Sequence, residues 1–210
     1  MFDSRQSAGK ILAQKLKEQN ISAQAVYGIT RGGVVVAKEI AQRLSIPLIA
    51  LPIKKLGAPH NPELALGAVA PDSVSYLDSQ LALVVGAEQQ WIKKEIRKLN
   101  TELKEKVKLY KIDPDYKPES VILTDDGIAT GATVLVAIDW LRFKGVKTII
   151  LALPVAPAET VKKIAAKVEQ IVVLETPDDF SAVGQFYREF SQVTDEDVVD
   201  LLKISNHKSQ

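Results

Sequence analysis

The sequence predicts an α/β fold with a parallel central sheet flanked by helices, because short apolar segments alternate with helical ones along most of the chain. Five segments are almost continuously apolar, as expected of strands that are buried on both faces of a sheet. They are residues 25–29, 47–53, 120–124, 148–153 and 170–174. The chain has 210 residues, of which 46% are hydrophobic and 25% charged, and these values are ordinary for a globular protein.

Helices are predicted around these strands from apolar residues at spacings of three and four. The first helix, at residues 8–19, has Leu12 and Leu16 on one face. The others are residues 34–44, about 131–143 and 158–167. Gly145 follows the second of these three and is a typical helix stop. Each of the three connects one predicted strand to the next, which is what parallel pairing requires.

The alternation is interrupted between residues 56 and 119, a stretch too long for one crossover. We therefore expect one domain, residues 1–210, that carries an insertion at 56–119. Residues 56–83 are rich in glycine and proline, with short apolar pieces that suit a hairpin, and residues 91–110 have the apolar seam of a long helix.

The long helix is also basic, with seven basic and three acidic residues between 93 and 108. One interpretation is a solvated helix with lysine-rich flanks. The other is a basic wall over an anionic ligand or an acidic partner, or a dimer contact. Residues 175–200 contain eight acidic residues and one arginine, so they are a candidate partner within or between chains.

Composition excludes several classes of protein. The formal net charge is +1, which is small for a protein that binds nucleic acid by neutralising phosphates, so no nucleic-acid partner is expected. There is no cysteine and there are two histidines, so thiol catalysis is excluded and a histidine-rich metal site is disfavoured. The longest apolar run, residues 149–158, is short for a bilayer and the start lacks an apolar signal core. We expect a cytoplasmic protein with no membrane partner.

Distinctive residues follow three of the predicted strands. They are Thr30-Arg31-Gly32-Gly33, Lys54-Lys55 and Asp125-Asp126-Gly127. Ligands of parallel sheets bind beyond the carboxyl ends of the strands, so we expect these three groups to border one site.

The strongest motif is residues 121–133, in which a buried strand, two carboxylates and a loop of small residues precede a helix. Small residues let the backbone approach a ligand closely, and backbone amides at a helix start favour an anion such as phosphate. Adjacent carboxylates repel phosphate and suit sugar hydroxyls or a metal. One loop thus offers a phosphate cradle beside a diol clamp, which matches a ribose 5-phosphate. The structural alternative is an aspartate helix cap with a tight glycine turn.

Four commoner sites lack their motifs. The loop has no P-loop lysine, and no G-x-G-x-x-G follows the first strand. A response-regulator receiver would place its acidic pair near the first strand rather than at residue 125. No G-x-S-x-G nucleophile elbow occurs.

Residues 121–133 resemble the phosphoribosyl pyrophosphate signature of type I phosphoribosyltransferases, which is a hydrophobic strand, an acidic pair and a threonine-and-glycine loop. Residues 30–33 resemble that family's pyrophosphate loop. The pair Lys54-Lys55 resembles the basic pair before its mobile catalytic loop, so we expect residues 56–83 to be mobile and to become ordered over the donor. The resemblance covers nearly the whole chain and is nearest to members whose acceptor is unassigned.

The resemblance implies roles for these residues. Those implied for the ribose 5-phosphate are Asp125, Asp126, Gly127, Ala129, Thr130, Gly131, Ala132 and Thr133. Those implied for pyrophosphate are Thr30, Arg31, Gly32 and Gly33, and those implied as catalytic are Arg31, Lys54 and Lys55. Mg²⁺ is implied as a substrate-bound cofactor within reach of the Asp125 and Asp126 carboxylates. The structural alternatives are a surface arginine at position 31 and a solvated strand end at Lys54-Lys55.

The resemblance also implies an acceptor-binding hood, in a C-terminal hood and tail at about residues 175–210. Residues 180–187 resemble the hood of purine-type members, with Phe180, Val183 and Tyr187 as acceptor residues. Packing within the hood explains these aromatic residues equally well. Arg188 stands where purine-type members have an acidic residue, which disfavours guanine or hypoxanthine as the acceptor.

Two classes of function are consistent with the sequence. The first is an enzyme that transfers the 5-phosphoribosyl group from phosphoribosyl pyrophosphate to a small-molecule acceptor, with a nitrogenous base as the expected class and a homodimer as the expected assembly. The second is a non-catalytic regulator that binds the donor or a nucleotide on the same fold. The basic residues beside the phosphate cradle favour the enzyme, because leaving-group charge must be stabilised.

Overall fold

A computed structural model describes residues 1–206 of the chain. Helices α1–α7 span Arg5–Glu18, Gly32–Leu44, Ser79–Val84, Gln89–Leu109, Ala132–Phe143, Ala158–Ala165 and Asp195–Asn206. Strands β1–β8 span Ala25–Ile29, Leu48–Leu51, Lys54–Ala58, Asn61–Val69, Ser75–Leu77, Ser120–Thr124, Thr148–Val155 and Gln170–Glu175. The last four residues of the predicted C-terminal tail, 207–210, lie outside the described residues.

The central sheet has five parallel strands in the order β2-β1-β6-β7-β8, which confirms the predicted fold class. All five predicted strands are present. β2 is shorter than the predicted segment 47–53 and ends at Leu51, before Pro52. Proline has no N–H to donate to a neighbouring strand, so Pro52 is a natural end for the pairing.

Both faces of the central sheet are covered, because successive strand residues point to opposite sides. On one side Tyr27 of β1 and Leu123 of β6 pack with Trp140 of α5. On the other side Val26 and Ile122, the neighbours of those strand residues, pack against α1, α2 and α7. Helices on both faces explain why the strands read as continuous apolar runs rather than as alternating ones.

The insertion forms a second, smaller layer. Strands β3, β4 and β5 pair as an antiparallel sheet, and α3 follows them. Leu56 and Leu66 of this sheet are fully buried against Leu99 and Leu103 of α4. The predicted hairpin is therefore a three-stranded sheet, and the long helix predicted at residues 91–110 is confirmed as α4.

Helix α7 was not anticipated, because residues 175–200 were interpreted only as an acidic stretch. Its start carries a capping signal: the Thr194 N–H donates to Asp197 Oδ2 at 2.8 Å, and the Asp197 N–H donates to Thr194 Oγ1 at 3.1 Å. Val198 and Leu202, four positions apart, are buried in the core beside α2 and β2. The Thr-x-x-Asp pattern and the four-residue spacing were the signals available in the sequence.

The C-terminal segment before α7 folds back on the start of the chain. The Phe2 N–H donates to the Phe186 carbonyl at 2.7 Å, and the Arg188 N–H donates to the Phe2 carbonyl at 2.9 Å. The Phe2 and Tyr187 rings lie 5.5 Å apart between centroids. Residues 186–188 are thus packed against the start of the chain, beside Ala8 of α1.

The predicted mobility of residues 56–83 separates into two parts in this fold. The turn between β3 and β4 is exposed at His60, Pro62 and Glu63, and the pairing register shifts on either side of Gly57. Residues 66–69 are buried instead.

Hydrogen exchange with and without phosphoribosyl pyrophosphate and Mg²⁺, the ligands that the resemblance implies, should show increased protection in residues 57–65. Residues 66–69 should be protected in both states. Equal protection of the tip in both states would show that it is a fixed scaffold element.

Candidate functional site

The turn after β1 and the acidic pair after β6 lie against each other. β1 and β6 are neighbours, with Gly28 paired to Thr124, so the loops that follow them meet at one edge of the sheet. A Cβ at Gly32 would lie 1.9 Å from Asp126 Oδ2, and a Cβ at Gly33 would lie 2.7 Å from Asp125 Cα. At Gly33 the clash is with backbone, so no side chain larger than hydrogen fits there, whereas at Gly32 the Asp126 carboxylate and the Arg5 guanidinium would have to move.

The two carboxylates have different surroundings. Asp126 Oδ2 lies 2.5 Å from Arg5 Nε, and the Asp126 carbonyl accepts a hydrogen bond from the Tyr187 hydroxyl. Asp125 accepts the backbone N–H of Asp126 at 2.9 Å. Burial, and then the charge of the Asp126 carboxylate, raise the pKa of Asp125 above its ordinary value.

The loop of small residues leads into the start of α5. Ala129 and Thr130 are exposed, and Gly131 has a left-handed backbone with φ of 81°. The Thr160 hydroxyl of α6 donates to the Ala129 carbonyl at 2.7 Å and so fixes the loop from behind. Among residues 1–206 no side chain caps the first turn of α5, where Thr133 lies, so the backbone N–H groups there are available to an anion.

The two lysines predicted to act together are separated by the alternation of β3. Lys54 lies with Thr30 and Arg31 in a cavity of about 270 Å³, and its Nζ lies 2.9 Å from Glu102 Oε2. Lys55 points to the other side, where its Nζ donates to the Glu63 carbonyl at 2.9 Å. The structure thus brings Lys54, but not Lys55, to the end of β1.

Three residues of this cavity were missed in the sequence. Lys106 of α4, Tyr110 directly after α4 and Asp195 of α7 line it together with Arg31. Lys106 forms an ion pair with Asp195, and the Tyr110 hydroxyl donates to Asp195 Oδ1 at 2.6 Å. The basic excess of α4 and the acidic stretch 175–200 were the signals available in the sequence. The structure shows that they pair with each other within the chain.

The predicted acceptor residues lie in the packed hood. Tyr187 is 5% exposed, and Phe180 packs against Phe186 with 5.1 Å between ring centroids. Val183 covers the acidic loop, since a Cβ at Gly127 would lie 2.7 Å from Val183 Cγ1.

A recess of about 360 Å³ opens instead between Arg31, Gly32 and the loop 190–193. The Phe190 ring borders it, stacked 5.2 Å from Tyr187 and 3.7 Å beneath the Arg5 guanidinium. Arg5 and Phe190 were both missed, because neither belongs to a local motif. Arg5 contacts Asp126 from 121 positions away in the chain.

Comparison with known proteins identifies the family. A family model described as the phosphoribosyl transferase domain matches residues 3–191, so the chain belongs to that family and the resemblance found in the sequence is confirmed. A Mycobacterium tuberculosis protein named "Putative phosphoribosyl transferase Rv0571c" is 38% identical over 205 residues, which cover 96% of this chain and 46% of that protein. The chain therefore spans about half the length of the curated relatives it matches.

Solved structures share the fold of this chain. The crystal structure of TT1426 from Thermus thermophilus has a TM-score of 0.78 and 36% identity, covering 96% of this chain and 97% of the other. A hypothetical protein from Neisseria gonorrhoeae, solved with bound ppGpp, has a TM-score of 0.53 and 14% identity, covering 97% and 98% of the two chains. At that identity the second likeness supports the fold alone.

Within residues 1–206, no helix is both long and apolar enough to cross a membrane.

The contact between α4 and α7 should make stability depend on pH. Hydrogen bonds from Lys106 and then from Tyr110 hold the pKa of Asp195 below its ordinary value. A lowered folded-state pKa stabilises the fold above the unfolded value of about 3.9, and this stabilisation is lost as the pH falls through the folded value.

We expect Asp195→Asn to lower the free energy of unfolding by ~1 kcal/mol at pH 7, with a difference from the parent that shrinks as the pH falls below about 4. Urea unfolding of the two proteins across this range measures it. Asp200→Asn, on an exposed part of α7, is the matched control and should have little effect at any pH. A pH-independent difference for Asp195→Asn would contradict the assignment.

Proposed function

We propose that this protein transfers the 5-phosphoribosyl group of phosphoribosyl pyrophosphate to a nitrogenous acceptor and releases pyrophosphate. The observation that carries the proposal is the contact between the Gly32-Gly33 turn and the Asp125-Asp126 pair, beside an uncapped start of α5. This contact gathers a cationic turn, a pair of carboxylates and a phosphate cradle within one site. The family match and the curated relatives favour the enzyme over a regulator.

The donor would span the two loops. The 5-phosphate would accept hydrogen bonds from the backbone N–H groups and threonine hydroxyls of residues 129–133. The ribose hydroxyls would donate to the Asp125 and Asp126 carboxylates, and the pyrophosphate would extend over Arg31 towards Lys54. This order matches the order of charge across the site, since carboxylates lie between the two regions that favour phosphate.

The acidic pair also fits a substrate-bound Mg²⁺. Carboxylate oxygens are the donors that Mg²⁺ prefers, and the Asp125 carboxylate accepts only the Asp126 N–H among residues 1–206. Within the same residues no three His, Cys, Asp or Glu side chains are grouped to hold a metal ion by themselves. Two carboxylates suit an ion that keeps most of its bonds to water and substrate oxygens. When bound, Mg²⁺ would supply positive charge that offsets the negative charge of the departing pyrophosphate.

The reaction breaks the bond from the anomeric carbon to a pyrophosphate oxygen and forms a bond from that carbon to the acceptor nitrogen. The bonding electrons leave with pyrophosphate, so negative charge increases beside Arg31 and Lys54 in the transition state. Lys106 is a third cation in this cavity. Lys54 is paired with Glu102 and Lys106 with Asp195, so pyrophosphate would compete with both carboxylates.

The acceptor would enter through the recess bordered by Phe190, which adjoins Arg31 and Gly32. A flat base ring could replace the Arg5 guanidinium over Phe190, with Tyr187 and Val183 supporting the hood from below. Position 188 holds an arginine, which is exposed and paired with Asp3. This position therefore supplies no carboxylate to a purine. A nitrogenous base other than guanine or hypoxanthine and a homodimeric assembly stay predictions.

Screening nucleobases and small amines for pyrophosphate release, with phosphoribosyl pyrophosphate and Mg²⁺ supplied, tests the proposed activity. Release that depends on one acceptor and yields its phosphoribosyl adduct by mass spectrometry would support it. A chain that binds the donor tightly yet releases no pyrophosphate with any acceptor would instead support the regulatory function.

Removing the acidic pair should abolish tight donor binding. Asp125→Asn with Asp126→Asn removes both carboxylates and the ion pair to Arg5, and we expect calorimetry with Mg²⁺ to show donor affinity at least ~100-fold weaker, from two lost charged hydrogen bonds. The matched control is Asp178→Asn with Asp179→Asn, an adjacent acidic pair that is exposed. Unchanged donor affinity in a folded Asp125/Asp126 variant would remove this pair from the site.

Arg31 should act on the leaving group rather than on the acceptor. With an acceptor in hand, Arg31→Ala should lower kcat ~10²–10³-fold, because charge on pyrophosphate increases in the transition state. Pyrophosphate inhibition should weaken in parallel, while the KM of the acceptor changes little. Arg97→Ala, an exposed arginine of α4, is the control. Tight pyrophosphate inhibition together with a large rise in acceptor KM would move Arg31 to the acceptor site.

A further inference from the structure

A further cavity lies between α4, α5 and the connection 111–116. Its volume is about 250 Å³, and Tyr27, Tyr116 and Trp140 contribute to its walls. For comparison, a closed apolar cavity of about 150 Å³ accommodates a benzene ring. This cavity therefore has room for one planar ring together with a small substituent.

The charged side chains of the cavity are mostly cationic. Lys104 and Lys108 of α4 and Lys144 after α5 line it, together with Asp72 and Asp113. Both acids are already engaged by other groups.

Asp72 accepts the Trp140 indole N–H at 3.1 Å and lies 3.7 Å from the Lys144 ammonium. Asp113 accepts the backbone N–H of Asp115 at 2.9 Å. Lys104 and Lys108 form no ion pair within residues 1–206, so their charges are the ones available to a ligand.

A buried tyrosine whose hydroxyl has no partner also faces this region. Tyr27 is 4% exposed and lines the cavity, and its hydroxyl makes no hydrogen bond with residues 1–206. Tyr116 differs, because its hydroxyl donates to the Gln24 carbonyl at 3.1 Å. Among residues 1–206 the only buried side-chain polar atom without a partner is Asn100 Oδ1, so the Tyr27 hydroxyl reaches the open space of the cavity, where it can bond to water or to a polar atom of a ligand.

Two neighbouring cavities differ from this one. Tyr27 and Tyr116 also border a cavity of about 310 Å³ beside β2, but Lys111 is the only lysine lining it within the described residues. The 270 Å³ cavity of Arg31 and Lys54 lies on another side of α4. Lys106 and Tyr110 line that cavity, whereas Lys104 and Lys108 line the 250 Å³ cavity. The combination of aromatic walls, two unpaired lysines and an unpartnered hydroxyl belongs to the 250 Å³ cavity.

We propose that the cavity bounded by Tyr27, Trp140, Lys104 and Lys108 is a second ligand site, which takes a planar aromatic ring carrying a carboxylate or phosphate. The ring would pack among Tyr27, Tyr116 and Trp140, and the anionic group would contact the two lysine ammonium groups. The Tyr27 hydroxyl would hydrogen-bond to the same anionic group or to a ring substituent. This site is independent of the proposed transferase reaction.

The test uses the fluorescence of Trp140. The chain has two tryptophans, so Trp91→Phe leaves Trp140 as the sole indole reporter in the full chain. Phenyl phosphate and benzoate are the probes, and inorganic phosphate and cyclohexanecarboxylate are the matched compounds without an aromatic ring. We expect saturable quenching by one or both aromatic anions and none by the other two. Comparison of the two probes distinguishes a phosphate ligand from a carboxylate ligand.

Variants locate the bound probe. Lys104→Gln with Lys108→Gln should weaken binding at least ~10-fold, and Tyr27→Phe should weaken it severalfold. Lys93→Gln with Lys94→Gln, an exposed pair on the same helix, should leave it unchanged. Asp125→Asn with Asp126→Asn should also leave it unchanged.

Three outcomes would overturn the proposal. The first is the absence of saturable quenching by either aromatic anion. The second is equal binding to the parent and to a folded Lys104/Lys108 variant. The third is loss of binding in the Asp125/Asp126 variant alone, which would assign the probe to the phosphoribosyl site.

Discussion

The structure of this site depends on the close approach of two loops, the one that follows β1 and the one that follows β6. β1 and β6 are adjacent in the sheet, and the absence of side chains at Gly32 and Gly33 lets the first loop rest on the Asp125-Asp126 backbone and carboxylates. A methyl group at Gly32 would collide with the Asp126 carboxylate. A substitution at Gly32 would therefore displace the Asp126 carboxylate, and one at Gly33 would meet the Asp125 backbone, so the two glycines keep the turn beside the acidic pair.

The acidic pair is supported from both ends of the chain. Arg5 from α1 balances the Asp126 carboxylate, and Tyr187 from the hood holds the Asp126 carbonyl. Phe190 stacks between the Arg5 guanidinium and the Tyr187 ring, which ties the two supports to each other. Strands at the sheet centre thus fix the backbone of the pair, while the termini set its charge environment.

The insertion contributes electrostatics as well as packing. Leu103 on one turn of α4 is buried against the small sheet, and Lys106 on the next turn enters the cavity of Arg31. Lys54 is paired with Glu102 and Lys106 with Asp195, so two of the cations near Arg31 each have a carboxylate partner. Such pairs lower the repulsion among the cations and can be exchanged for a more highly charged ligand.

The sequence by itself determined the sheet, the helices that connect its strands and the loops at its edge. Buried parallel strands are continuously apolar, and a loop whose backbone approaches other groups closely is made of small residues, so both features can be recognised in short stretches of sequence. The strand run 120–124 followed by Asp125 and Asp126 is the clearest example.

Only the tertiary structure decided which distant residues complete the site. Arg5, Lys106 and Asp195 belong to no local motif and reach the site because helix packing brings them there, and Phe190 reaches it on the loop before α7. The separation of Lys54 from Lys55 depends on β3, which begins at Lys54 and was not predicted as a strand. Adjacent side chains of a strand lie on opposite faces. Side-chain pairing across the fold depends on the positions of α1, α4 and α7, and the order of residues along the chain does not specify those positions.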